Sequence, residues 1–289
     1  SLDAYVESMT GVALDVFKAK KVAILYSSTP GSTQLAQEQK ALFEKKGVEV
    51  AVYEMGTSGA SDFSPLLTKV KEKGAEVIIS DFFLADHMVM VRQLKELNID
   101  IKAYVGAFGV EYNEFITNLG KTSENIYGTT VWEASITWPG TESETKAYIA
   151  GYKAMYGKEP DPLTMHGYTA AKALVAAIEN VASKGKPLTG ENVRNELAAL
   201  DIVTPMERVK FDSNGDPYYY PRLLFQIQNG THAVVYPLDK ATAKAIYPMP
   251  PWITPTPTKA SGFEAPLLIT ALIALIAVYQ IEMERKNRK

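Results

Sequence analysis

The chain has 289 residues, 46% hydrophobic and 22% charged, enough to bury a core and too apolar for a disordered protein. Thirty basic against thirty-three acidic residues leave a formal net charge of −3, which supplies no broad positive field for nucleic acid. With no cysteine, disulfides, thiolate metal sites, iron–sulfur clusters and cysteine nucleophiles are excluded.

The sequence opens at Ser1 and runs directly into an amphipathic stretch, Tyr5, Met9, Val12, Leu14 and Val16. A targeting sequence and part of the folded protein are expected upstream of it. Apolar β-rich runs then begin at Val22 (VAILY), Val48 (VEVAVY), Val77 (VIIS), Ile101 (IKAYV) and Ile126 (IYGTTV), spaced by 26, 29, 24 and 25 residues. Helical patterns lie between them. Leu35, Ala36, Leu42 and Phe43 share one face that stops at Gly47, and Ser64-Pro65 opens a helix ending at Gly74. Strand, helix, strand at this period predicts an α/β fold with a right-handed, doubly wound parallel sheet. The unbroken apolar run at residues 77–79 suits a parallel strand covered on both faces.

After Trp132 the pattern turns to helices over residues 142–156, 162–183 and 190–200. Ala170, Leu174, Ala177, Ile178 and Val181 form an apolar stripe, and this stretch brings no parallel strand for it to cover. Two short strands are expected around the turn in residues 208–216, and a second hairpin at residues 222–228 and 231–236 about Asn229-Gly230.

His87, His166 and His232 stand far apart without a zinc-ligand spacing, and no phosphate-loop, dinucleotide or nucleophile-elbow motif occurs. No catalytic residue, metal site or cofactor is expected. The acidic run at residues 212–216 reads as a hairpin turn rather than a calcium loop, because its glycine comes too early and no glutamate closes it. The loop Ser27-Ser-Thr-Pro-Gly-Ser-Thr33 follows the first strand and opens a helix, so hydroxyls and free N–H groups converge at a positive dipole end. That arrangement suits a carboxylate or phosphate, and plain N-capping by Ser32 or Thr33 accounts for the same residues. Ligands in such sheets bind beyond the carboxyl ends of the strands. Those ends carry Asp81-Phe82-Phe83 and Gly106-Ala-Phe-Gly109. The expected ligand-binding residues are therefore Ser28, Thr29, Phe82, Phe83 and Phe108, a pocket for a solute with an apolar body. The competing role for two of these phenylalanines is core packing.

Toward the end, residues 247–258 hold five prolines in twelve positions, a stiff stalk. Residues 265–281 (APLLITALIALIAVYQI) run 17 residues without a charge, about 25 Å of helix. Phe263 and Tyr279 suit the two membrane interfaces, and Arg285, Lys286, Arg288 and Lys289 form a basic flank. A single transmembrane helix is expected, with the basic end in the cytoplasm and the body outside.

The body resembles the solute-binding proteins of ABC importers, the type 1 periplasmic binding proteins of the branched-chain amino-acid (Leu/Ile/Val)-binding family. The resemblance is carried by residues 20–26 (KKVAILY), 62–67 (DFSPLL), Arg92-Gln93, 167–171 (GYTAA), 177–179 (AIE) and 209–216 (VKFDSNGD). It implies a two-lobed clamp lacking its N-terminal portion. Residues 1–131 and 220–238 match the second lobe, 132–219 the returning part of the first, 239–262 the stalk, 263–281 the membrane helix and 282–289 the tail. It implies capture of a small organic solute (amino-acid-like, an amide or another small carboxylate) for ABC permease subunits, at the extracellular face of the membrane, with no reaction catalysed. The family's acidic ligand residue would fall at Phe108, with Glu111 three residues on, and its aromatic in the first loop is replaced by small residues around Gly31. The run Ser261-Gly262-Phe263 resembles the start of the C-terminal sorting signal of archaeal surface proteins, with Ser261 in place of proline; it implies exchange of the helix for a lipid anchor. The alternatives are a ligand-sensing receptor ectodomain and a flavodoxin-like FMN-binding electron carrier.

Overall fold

The computed structural model describes residues 3–218 and 222–252. Helix α1 (Asp3–Gly11) continues into a π-helical turn at Val12–Val16. There follow β1 (Lys21–Ser27), α2 (Pro30–Lys45), β2 (Glu49–Gly56), α3 (Ser64–Lys73), β3 (Val77–Asp81), α4 (Leu84–Glu96), β4 (Ala103–Gly106), α5 (Asn113–Leu119) and β5 (Tyr127–Thr130). Three helices come next, α6 (Glu142–Tyr156), α7 (Pro162–Ser183) and α8 (Gly190–Ala198), then β6 (Asp201–Val203), β7 (Arg208–Lys210), β8 (Leu223–Gln228) and β9 (Thr231–Tyr236).

The main sheet has seven strands in the order β2-β1-β3-β4-β5-β8-β9. The first five are parallel, with Ile24 opposite Ile79 and Ile79 opposite Val105. The sheet is mixed rather than parallel throughout, because β8 runs antiparallel to β5 and β9 antiparallel to β8. A hairpin closed by two residues can only pair this way. Its turn is Asn229-Gly230, both at positive φ (55° and 72°), as a twist-matched hairpin turn needs.

Alternating strand residues feed two cores. Ala23, Leu25, Ile78 and Tyr104 face α3, α4 and α5 through Leu67, Val70, Met90, Leu94 and Phe115. Val22, Ile24, Ile79 and Val105 face α1 and α2 through Met9, Val12, Leu35 and Phe43. Both faces are covered, which is why these strands read as unbroken apolar runs.

The helical segment is built more thinly. Val131, Trp132, Met165 and Met206 form one small cluster, and Ala173, Leu200 and Val209 another. The stripe on α7 divides: Ala177 and Val181 are buried, whereas Leu174 is exposed, as are Leu163 and Val175. The short strands also differ from expectation. Arg208–Lys210 pairs with the upstream Asp201–Val203, and among the described residues the 212–216 turn is spanned by a single bridge, Phe211 to Pro217. Pro217 has no N–H to continue a ladder, while Asp201 gains both Arg208, at 2.5 and 2.7 Å, and Lys210 at 3.1 Å. Asp212 Oδ1 closes the turn itself, accepting the N–H groups of Asn214 and Asp216.

Among the described residues no helix is long and apolar enough to cross a membrane. The charge-free run at 265–281 and the basic tail lie outside the described residues.

Candidate functional site

The carboxyl ends of β1, β3, β4 and β5 open on one edge of the sheet, and each delivers a short loop there. After β1, Thr29 rather than Ser32 or Thr33 is the N-cap of α2. Pro30 takes the first helical position, and Thr29 Oγ1 accepts the Ser32 N–H at 3.4 Å. Ser27 Oγ lies 3.1 Å from the same oxygen, so the Thr29 hydroxyl is engaged within its own loop. Ser28 beside it is exposed.

After β3 the two adjacent phenylalanines part. Phe82 is fully buried, packed edge-on against Phe63 at 5.3 Å and filling the space beside Gly56. It belongs to the core and has no solvent-facing surface to offer a solute. Phe83 starts α4 and is 40% exposed, its ring stacked on Phe108 at 5.8 Å. After β4, Phe108 is partly buried and also meets the Tyr5 ring at 4.9 Å.

A cavity of about 360 Å³ lies at this edge. Phe108, Glu111 and Tyr112 from the β4 loop form one side, with Thr130 and Val131 from the end of β5. Pro162, Leu163 and His166 from the first turns of α7 face them, and Tyr5 and Arg222 complete the wall. Of the five residues expected from the sequence, Phe108 lines this cavity and Phe83 packs on Phe108. Ser28, Thr29 and Phe82 lie in the adjoining loops and core.

The lining is apolar with a few polar groups of known bias. The Arg222 guanidinium sits 3.5 Å from the centre of the Tyr5 ring, a cation–π contact that holds a permanent charge at the wall. Glu111 Oε2 accepts the Gly109 N–H at 2.6 Å. Burial pushes the Glu111 carboxyl up, while its backbone N–H bonds and the Arg222 charge pull the other way. Burial lowers His166, and Arg222 lowers it further. A shaped apolar cavity with one fixed cation and a few convergent polar groups suits binding of a small organic molecule.

Tyr5, Tyr112, Thr130, His166 and Arg222 line the cavity without having been expected there. Thr130 had a local signal, since it ends a parallel strand. Tyr5, His166 and Arg222 are brought in by tertiary packing alone.

Comparisons with known proteins agree with this architecture. A family profile described as periplasmic binding protein matches residues 1–231. A Leu/Ile/Val-binding protein homolog from Brucella abortus is 26% identical over 216 residues, covering 75% of this chain and 56% of that protein. A leucine-, isoleucine-, valine-, threonine- and alanine-binding protein from Pseudomonas aeruginosa is 28% identical over 203 residues, covering 69% and 51%. The chain thus spans about half the length of the curated relatives it matches. Among solved structures, a leucine-binding protein from Thermotoga maritima superposes with a TM-score of 0.72 at 23% identity, over 82% of this chain and 66% of that one. A solute-binding protein of an ABC transporter from R. palustris, in complex with benzoate, gives 0.65 at 14% identity over 81% and 62%. On the match to residues 1–231, the chain belongs to the periplasmic binding protein family.

Proposed function

We propose that this chain is the extracellular solute-binding component of an ABC importer, capturing a small organic solute and presenting it to permease subunits without catalysing a reaction. The observation that carries the reading is the cavity bounded by the strand-end residues Phe108, Thr130 and Val131 on one side and by α7 on the other. In this reading residues 1–131 and 220–238 form one lobe and 132–219 the returning part of a second, so the solute sits between them and closure excludes water. Phe83 and Phe108 provide its apolar contact, and the hydroxyls of Ser28 and Thr29 border the approach. Its class is amino-acid-like, an amide or another small carboxylate. Of the stalk expected at 239–262, residues up to Trp252 pack on the body, with Met249 buried in the core and Trp252 Nε1 donating to the Ile99 carbonyl. In this reading the residues beyond, the apolar run at 263–281 and the basic residues at 282–289 tether the body to the outer face of the membrane, by a single pass or by a lipid after processing.

The test is mass spectrometry of small molecules released on denaturing the purified chain. One solute in stoichiometric amount, lost from the Phe108→Ala variant, supports the reading. Equal recovery of that solute from wild type and Phe108→Ala contradicts it.

A further inference from the structure

The loop that carries Phe108 is fixed from beneath as well as from the side. Phe108 has φ 48°, in the left-handed region that a bulky side chain rarely occupies. At Gly109, φ is 122° and an added Cβ would lie 2.6 Å from the Leu84 backbone nitrogen, so the chain passes against the start of α4 where only glycine fits. Backbone conformations of this kind persist where their surroundings over-determine them. Glu111 does so from the side through the Gly109 N–H.

From beneath, the fully buried His87 in the first turn of α4 bonds to the Ala107 carbonyl through Nε2. A carbonyl only accepts, so the ring proton sits on Nε2 and Nδ1 is left to accept from Tyr104 Oη, 2.7 Å away. Tyr104 Oη in turn lies 3.0 Å from Ser80 Oγ. The ring has little room to swing, since an added Cβ at Gly106 would meet His87 Cε1 at 3.0 Å. Both ring nitrogens are therefore committed, one to β4 and one to the loop.

We infer that His87 is a positioning residue for the solute cavity: by holding the Ala107 carbonyl it sets Phe108 in its left-handed conformation, and with it the Tyr5–Phe108–Phe83 aromatic wall. That this wall receives a solute rests on the function proposed above; the dependence of Phe108 on His87 does not.

The experiment is fluorine NMR of the chain labelled with 4-fluorophenylalanine, in the absence of any solute. The ten phenylalanines give one resonance each, and the Phe83→Leu and Phe108→Leu variants assign the two of interest. His87→Leu, which has no donor for Ala107, is expected to displace or broaden the Phe83 and Phe108 signals while the other eight keep their positions. His87→Gln, whose amide offers a donor and an acceptor, is expected to restore both. Tyr104→Phe leaves the imidazole without its second partner and adds an eleventh resonance of its own; it is expected to shift the Phe83 and Phe108 signals less than His87→Leu does, and it decides the matter if His87→Leu fails to fold. A folded His87→Leu or Tyr104→Phe protein with Phe83 and Phe108 unmoved overturns the assignment, as does failure of His87→Gln to restore them. Because the readout needs no solute, such a failure removes the role of His87 alone, whereas failure to find a solute strikes the proposed function.

Discussion

Arg222 and Tyr5 meet at 3.5 Å across the cavity wall, joining the first helix to the residue that leads into β8. The contact places a permanent cation beside His166 and Glu111, and its influence on both is measurable. Replacing Arg222 with glutamine removes one of the two causes that lower His166 and one that lowers Glu111. In Arg222→Gln, His166 is expected to titrate at higher pH than in the wild type, read from its ring proton shifts; an unmoved or lower midpoint would contradict the placement.

Asp81 offers a second handle. It ends β3 fully buried, and Oδ1 takes the Gln39 amide at 3.1 Å while Oδ2 and the Gln39 carbonyl oxygen have no hydrogen-bond partner among the described residues. Burial drives this carboxyl well above its ordinary value, only partly opposed by Gln39. A folded-state value above the unfolded one means the neutral acid is favoured in the native protein. Its contribution is intact below the unfolded carboxylate value and is lost as pH rises through the folded one. Asp81→Asn removes the ionisable group and puts an amide donor in place of Oδ2, next to a glutamine whose carbonyl oxygen lacks one among the described residues. It should stabilise at neutral pH by roughly 1–3 kcal/mol, with the gain shrinking in acid. Urea denaturation at both pH values checks this.

His87 carries the opposite sign. Burial lowers it from 6.5 to about 4, so the folded state resists its protonation. Stability from this group is complete above pH 6.5 and falls as pH drops toward 4, by up to about 3 kcal/mol. The same denaturation series on His87→Gln should lack that share of the acid slope. Parallel slopes in the two proteins would assign the acid loss elsewhere.

Phe82 and Phe108 should separate stability from binding. Truncating the buried Phe82 to alanine is expected to cost about 3–5 kcal/mol of stability and to leave solute contacts in place. Phe108→Ala should weaken solute binding by about 1–3 kcal/mol through lost apolar contact, with a smaller loss of stability. Thermal unfolding and calorimetry on the two variants compare them directly.

Much of the fold was legible in the sequence, for local reasons. Parallel strands covered on both faces leave unbroken apolar runs, and α7 announces its start through Asp161 and Thr164, which cap each other, with Pro162 at the first helical position. Asn229-Gly230 fixes the β8–β9 hairpin. Where tertiary neighbours alone decide, the sequence is silent. Phe82 and Phe83 follow the last residue of β3, where strand alternation no longer applies, and only the presence of Phe63 on one side and Phe108 on the other separates them. Three residues were too few for Asp201–Val203 to read as a strand, and its pairing draws on the packing of Ile202 against Val209 and on the charges of Asp201, Arg208 and Lys210, partners that no local pattern announces. The cavity wall of Tyr5, His166 and Arg222 draws on three distant parts of the chain, and no spacing in the sequence records it.

The proposed function requires that a small solute occupy the cavity at the ends of β4 and β5. Its most direct test is a titration of the isotope-labelled chain with branched-chain amino acids and with small aromatic and aliphatic carboxylates, followed by NMR. The account predicts that at least one of them shifts Phe108, Tyr112, Thr130 and Arg222 together in a saturable manner, with Phe82 unmoved. Shifts confined to other surfaces, or no saturable shift of those four residues by any compound, would contradict it.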